Sequence, residues 1–162
     1  MQLEMLMQQL AENADVPPFA ANEDGDFDVE INAMPVSIQQ TDDGHIVLQA
    51  EVGVPPPNAL EARERLYRVL LEAMFRGAGS GGATFSLDKA SGTVFLHRIE
   101  NAAALDYDGF MAILEPFADT LAQWRAIVAE FRPVAERMEQ DAHAASEASR
   151  HANMSANGFI QV

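Results

Sequence analysis

The feature that most constrains this chain is a change in its hydrophobic period. Between residues 27 and 52, apolar side chains recur at every second position. Phe27, Val29 and Ile31 form one series and Val36 and Ile38 a second. Ile46 and Leu48, extended by Ala50 and Val52, form a third. Period two gathers the apolar side chains of a strand on one face, so this region predicts three strands with one buried face. The connections are short. Residues 32–35 make the first and Asp42-Asp43-Gly44 the second, where Asp-Gly supplies the positive φ of a hairpin turn. The strands should therefore form an antiparallel meander.

On either side the period changes to that of a helix. Leu3, Leu6, Met7 and Leu10 share one face of residues 2–14, and Pro17-Pro18 stops that helix, because the residue before a proline is driven out of the α region. After the stiff Pro55-Pro56-Pro57 connector, Asn58 and Glu61 resemble a capping box. Leu60, Leu66, Val69, Leu70, Ala73 and Met74 then mark a helix near 59–76, ended by Gly77. Residues 83–99 form a second hairpin, with Phe85 and Leu87 before a turn at 88–92 and Val94 and Leu96 after it. Asp106 caps a last helix whose stripe runs from Tyr107 to Phe131; Pro116 inside it predicts a kink, and Pro133 ends the pattern. The order is α-β-β-β-α-β-β-α, an α+β fold with an antiparallel sheet packed against helices. It occupies residues 1–132. Residues 133–162 are rich in Ala, Glu and Ser and form a partly helical or disordered tail.

Charge narrows the partners. The chain carries 25 acidic and 10 basic residues, a net charge of −15, and Lys89 is its single lysine. Such a surface repels phosphate backbones and anionic lipids, which argues against nucleic-acid and membrane partners. The acidity has two readings: solubility of the chain itself, or a solubilising partner for a basic or apolar client. Without cysteine, disulfides and thiolate metal sites are excluded. The N-terminal residues do not read as a signal peptide, and no apolar run approaches the roughly 20 residues that span a bilayer. The expected location is the cytoplasm.

Motifs that could carry chemistry fail on context. Gly77, Gly79 and Gly82 satisfy GxGxxG, but a dinucleotide site needs a strand before it and a helix after it, and here the order is reversed. A flexible linker is expected. Asp24, Asp26 and Asp28 suggest a calcium loop, yet its sixth and twelfth positions hold Val29 and Pro35 instead of Gly and Glu. His45, His97, His143 and His151 have no metal-ligand spacing, and there is no Gly-x-Ser-x-Gly elbow. The chain is expected to be neither an enzyme nor a cofactor protein, and no metal ligand is assigned. A small ligand-binding domain or an enzyme whose site assembles only in space is the alternative.

Several segments in order carry a resemblance. They are Leu70-Leu71-Glu72-Ala73-Met74, Gly81-Gly82-Ala83-Thr84-Phe85-Ser86-Leu87-Asp88, Gly92-Thr93-Val94-Phe95-Leu96, and Leu105-Asp106 followed by Phe110, Leu114, Phe117 and Trp124. Together they resemble the class I type III secretion chaperones, the Tir-chaperone family, over about residues 1–131. Met74 stands where the family often has Asn, and Pro116 and the tail are departures. The resemblance implies a homodimer built on the second helix and fourth strand, with Leu66, Leu70, Met74, Phe85 and Leu87 as interface candidates. It implies a secreted effector as client, held in extended form, and a secretion-system ATPase as a further partner. Leu3, Leu6, Met7 and Leu10, with Val36 and Ile38, are the candidates for effector contact. Stripe pattern alone leaves open which of these residues are monomer core. A regulatory adaptor of the same fold is the nearest alternative function.

Overall fold

A computed structural model describes residues 2–57 and 59–131. Helix α1 (Gln2–Ala14) is followed by β1 (Phe27–Ile31), β2 (Met34–Gln40) and β3 (His45–Gly53). Helix α2 (Leu60–Met74) runs into a 3-10 turn at Phe75–Gly77, then come β4 (Thr84–Leu87), β5 (Val94–Asn101) and α3 (Tyr107–Glu130). This is the expected α+β order. The sheet is antiparallel throughout, with strand order β1-β2-β3-β5-β4. The two edges are therefore β1 and β4.

Turn chemistry sets the register. The β1–β2 connection is only two residues, Asn32 and Ala33, both at positive φ (52° and 60°). That is the backbone of a type I′ turn, whose twist matches that of the flanking strands. It pairs Ile31 with Met34 and Val29 with Val36. At the next connection Gly44 adopts φ 85°, and its amide donates to the Thr41 carbonyl. Of the apolar positions read from period two, Phe27, Val29, Val36, Ile38, Ile46, Leu48, Ala50 and Val52 are buried and Ile31 is half-buried.

The core lies between that face and the helices. Phe110, Leu114, Phe117, Leu121, Trp124 and Val128 of α3 are buried against it, and α3 continues through Pro116. Asp106 caps α3, its Oδ1 accepting from the Gly109 amide at 2.8 Å. Side chains anchor the start of α1: Gln40 Oε1 accepts from the Leu3 amide at 3.0 Å, and Gln2 Nε2 donates to the Leu105 carbonyl at 2.7 Å. The cap position of α2 is Ala59, with no side-chain hydrogen bond. Asn58, expected there, lies outside the described residues, as do the 133–162 tail, Pro133, His143 and His151.

The glycine-rich segment differs from expectation. Its carbonyls are engaged by distant side chains, Gly79 O by Trp124 Nε1 at 2.8 Å and Gly81 O by Arg98 Nη1 at 2.9 Å. Ser80 between them is fully buried. The segment is a packed corner, not a flexible linker, because long-range donors hold it.

Candidate functional site

Among the described residues, two regions combine uncovered apolar surface with hollows, and they lie at opposite edges of the sheet.

The first surrounds α1 and the β1 edge. After α1 the chain passes through Val16, Pro17, Pro18 and Phe19 before reaching β1. Two hollows flank this passage, and Val16 and Phe19 border both. One, of about 620 Å³, is lined by Glu4, Met7, Ala11 and Glu12 of α1 together with Phe27. The other, of about 490 Å³, lies among Leu10 and Ala14 of α1, Val29 to Asn32, and Met111, Leu114 and Glu115 of α3. Both are wide and largely apolar, unlike a deep polar pocket with converging charges.

Register tells which way the β1 backbone faces. Hydrogen-bonded and non-hydrogen-bonded pairs alternate along an antiparallel ladder. The two-residue turn makes Ile31–Met34 a hydrogen-bonded pair, so Glu30–Pro35 and Asp28–Ser37 are non-hydrogen-bonded pairs. The amides and carbonyls of Asp28 and Glu30 thus point away from β2, toward the outer edge. Pro35 opposite Glu30 fits, since that position requires no donor toward β1.

The electrostatics here have one sign. Residues 1–62 contain no lysine or arginine, and the first basic residue is Arg63. The ionisable residues lining the two hollows are Glu4, Glu12, Glu30 and Glu115. Asp28 and Glu30 are exposed on the sheet face turned away from the helices.

The second region is the outer face of α2 with β4. Leu71 is 64% exposed, Phe75 70% and Leu87 49%. Leu71 and Leu87 border a shallow hollow of about 180 Å³ with Tyr67, Leu70, Met74, Phe85 and Val94. The Arg76 guanidinium lies 5.3 Å from the Phe75 ring centre. Phe85 joins the two elements: its amide donates to Met74 Sδ at 3.2 Å, and its ring meets Trp124 edge-on at 4.8 Å.

The residues singled out in the sequence divide by depth. Leu3, Leu6, Met7, Val36 and Ile38, expected to contact an effector, are at most 2% exposed and belong to the core. A partner reaches them only where the hollows open onto their edges, as at Met7. Leu10 is half-buried and borders the second hollow. Among the interface candidates, Leu66 and Leu70 are buried, Met74 and Phe85 half-buried and Leu87 exposed. Sequence reasoning quoted Leu71 only within the family resemblance and gave neither it nor Phe75 an interface role, although they stand beside the Leu66–Leu70 stripe at an i, i+4 spacing. Nor did it find Phe19, Met111 and Glu115.

Of the motifs set aside in the sequence, only Asp28 falls within these regions, and it does so as a residue of the β1 edge. Asn22 Oδ1 accepts from the amides of Asp24 and Asp26, closing a turn. Among the described residues, no group of three acidic or histidine side chains could hold a metal ion. His45 pairs with Asp43 at 3.1 Å on the surface. The Thr41 hydroxyl and then His45 hold the Asp43 carboxyl below its usual range.

The sequence model of the Tir chaperone protein (CesT) family matches residues 5–125, which include both regions. No curated protein matches the chain. Among solved structures, the fold is similar to one in the ExsC–ExsE complex, with a TM-score of 0.63 at 21% identity over 78% of this chain and 93% of that one. It is also similar to one in the heterodimeric ExoU–SpcU complex of the Pseudomonas aeruginosa type III secretion system (0.57, 13%, 80% and 96%). An uncharacterized protein from Methanothermobacter thermautotrophicus shares it as well (0.58, 16%, 80% and 98%). At these identities the likeness is one of fold.

Proposed function

The chain belongs to the Tir chaperone protein (CesT) family, and from that premise we propose that it is a non-catalytic type III secretion chaperone. It binds the N-terminal segment of a secreted effector in extended form and keeps that segment export-competent in the bacterial cytoplasm. The observation that carries this reading is the family match across residues 5–125, which takes in an outward-facing strand edge beside two apolar hollows. An extended client adds a strand along β1, bonding to the outward backbone groups of Asp28 and Glu30, and sets apolar side chains into the hollows. Main-chain bonds supply affinity with little demand on sequence, which suits a client held unfolded. The similar folds found in the ExsC–ExsE and ExoU–SpcU complexes support a protein partner.

The second region is read as a two-fold interface between copies. Leu71, Phe75 and Leu87 leave an apolar face that water penalises, and burying a large apolar side chain contributes roughly 1.5–3 kcal/mol. A homodimer joined through α2 and β4 keeps both β1 edges at its outer ends, so one client chain can pass along two copies. Release falls to the secretion-system ATPase.

The test is co-expression with the protein encoded beside it, followed by size exclusion with light scattering. The expected species has twice the 17.6 kDa chain mass plus one client segment whose amides exchange freely outside the bound stretch. A monomer that retains no neighbour overturns the reading. A dimer that holds only a fully folded partner favours an adaptor instead.

A further inference from the structure

The charge distribution around the β1 edge specifies its client more narrowly than apolar character alone. We propose that the segment docking on β1 is a cationic-amphipathic strand, with Arg or Lys at alternate positions and apolar residues between them. The inference rests on the strand-addition reading above and adds the chemistry of the occupant.

Strand addition fixes which client residues meet which side chains. Alternate residues of an added strand point to opposite faces of the sheet. On the helix side, its side chains continue the row of Val29 and Ile31 and enter the hollow bordered by Leu10, Phe19, Met111 and Leu114. Only apolar groups are accommodated there without loss of hydration. On the opposite face, its side chains lie beside the exposed carboxylates of Asp28 and Glu30. Opposite charges across neighbouring strands attract, and like charges repel. No cation of this chain competes from sequence nearby, because residues 1–62 hold neither lysine nor arginine. Asp28 Oδ2 accepts from Asn22 Nδ2 at 3.1 Å, a neutral partner that leaves its charge uncompensated.

The experiment uses the full chain and three labelled twelve-residue peptides followed by fluorescence anisotropy. Each alternates Val with one other residue: Arg in the first, Ser in the second and Glu in the third. At low salt the Arg peptide should bind about five- to ten-fold more tightly than the Ser peptide, the sum of a few cross-strand charge pairs. The Glu peptide should bind more weakly than either. The Arg advantage should shrink toward two-fold or less at about 0.5 M salt, where screening acts within a few ångströms. Asp28→Asn with Glu30→Gln should remove most of the advantage and leave Ser-peptide binding unchanged. Glu30→Gln alone should remove about half, which keeps the comparison valid if Asp28→Asn loosens the Asn22 turn. Glu51→Gln, an exposed carboxylate on β3, should have no effect. Equal binding of the Arg and Ser peptides, insensitive to salt and to these variants, overturns the cationic preference and leaves strand addition standing. Binding by none of the peptides removes the β1 edge as a docking site, and the proposal with it.

Discussion

The indole of Trp124 donates to the carbonyl of Gly79, 45 residues away in sequence, and its ring packs against Phe85. Trp124→Phe keeps most of the apolar volume and removes the donor, leaving a carbonyl without its partner. The expected cost is about 1–3 kcal/mol, read as a lower urea midpoint with an unchanged slope; an unaltered midpoint would show that the corner is held without the indole. Asp88 acts locally. The Ser91 hydroxyl, then the amides of Ser91 and Ala90, hold its carboxyl below the usual range. A depressed carboxylate contributes stability that is fully present above its unfolded pKa of about 3.9 and is lost as pH falls through the lower folded value. The stability gap between wild type and Asp88→Ala should therefore be constant near neutrality and close in strong acid. A gap of equal size at both extremes would mean that the turn does not depend on ionised Asp88.

At the scale of elements, α1 has an inner and an outer function. Its inner residues seal the sheet, and Leu6→Ala should cost about 2–5 kcal/mol as a buried leucine truncated to a cavity. Leu10 borders a hollow, so Leu10→Asp should leave the circular dichroism and melting profile near wild type while weakening client binding at least ten-fold. Unfolding by Leu10→Asp would place that side chain in the core. The contrast also shows what the sequence could reveal. Period two and the Asp-Gly turn made β1, β2 and β3 legible to within a residue or two, because each strand's pattern is local. The stripe Leu3, Leu6, Met7 and Leu10 showed that one face of α1 is covered, but a stripe carries no information about what covers it. The same limit hid Leu71 and Phe75, since α2 is apolar on two sides and only packing decides that Leu66 and Leu70 turn inward. The glycine corner was illegible for a related reason: Trp124 and Arg98, which hold it, lie far along the chain.

For the whole molecule, the two uncovered regions predict separable defects. Leu71→Asp with Phe75→Asp should convert a dimer to a folded monomer in light scattering, because charges replace apolar groups on a surface that already faces water in one copy. Such a monomer should still bind a short peptide at β1 and lose affinity for a long client that passes along both copies. A double variant that remains dimeric would exclude the α2 face as the interface. The one-signed charge of residues 1–62 has a further result at the bench. A protease that cuts only after lysine and arginine finds no target bond before Arg63. Helix α1 and the whole three-stranded meander therefore leave a digest as a single piece, whatever their stability. Small peptides recovered from a digested complex, if they do not map to the remainder of this chain, come from the client.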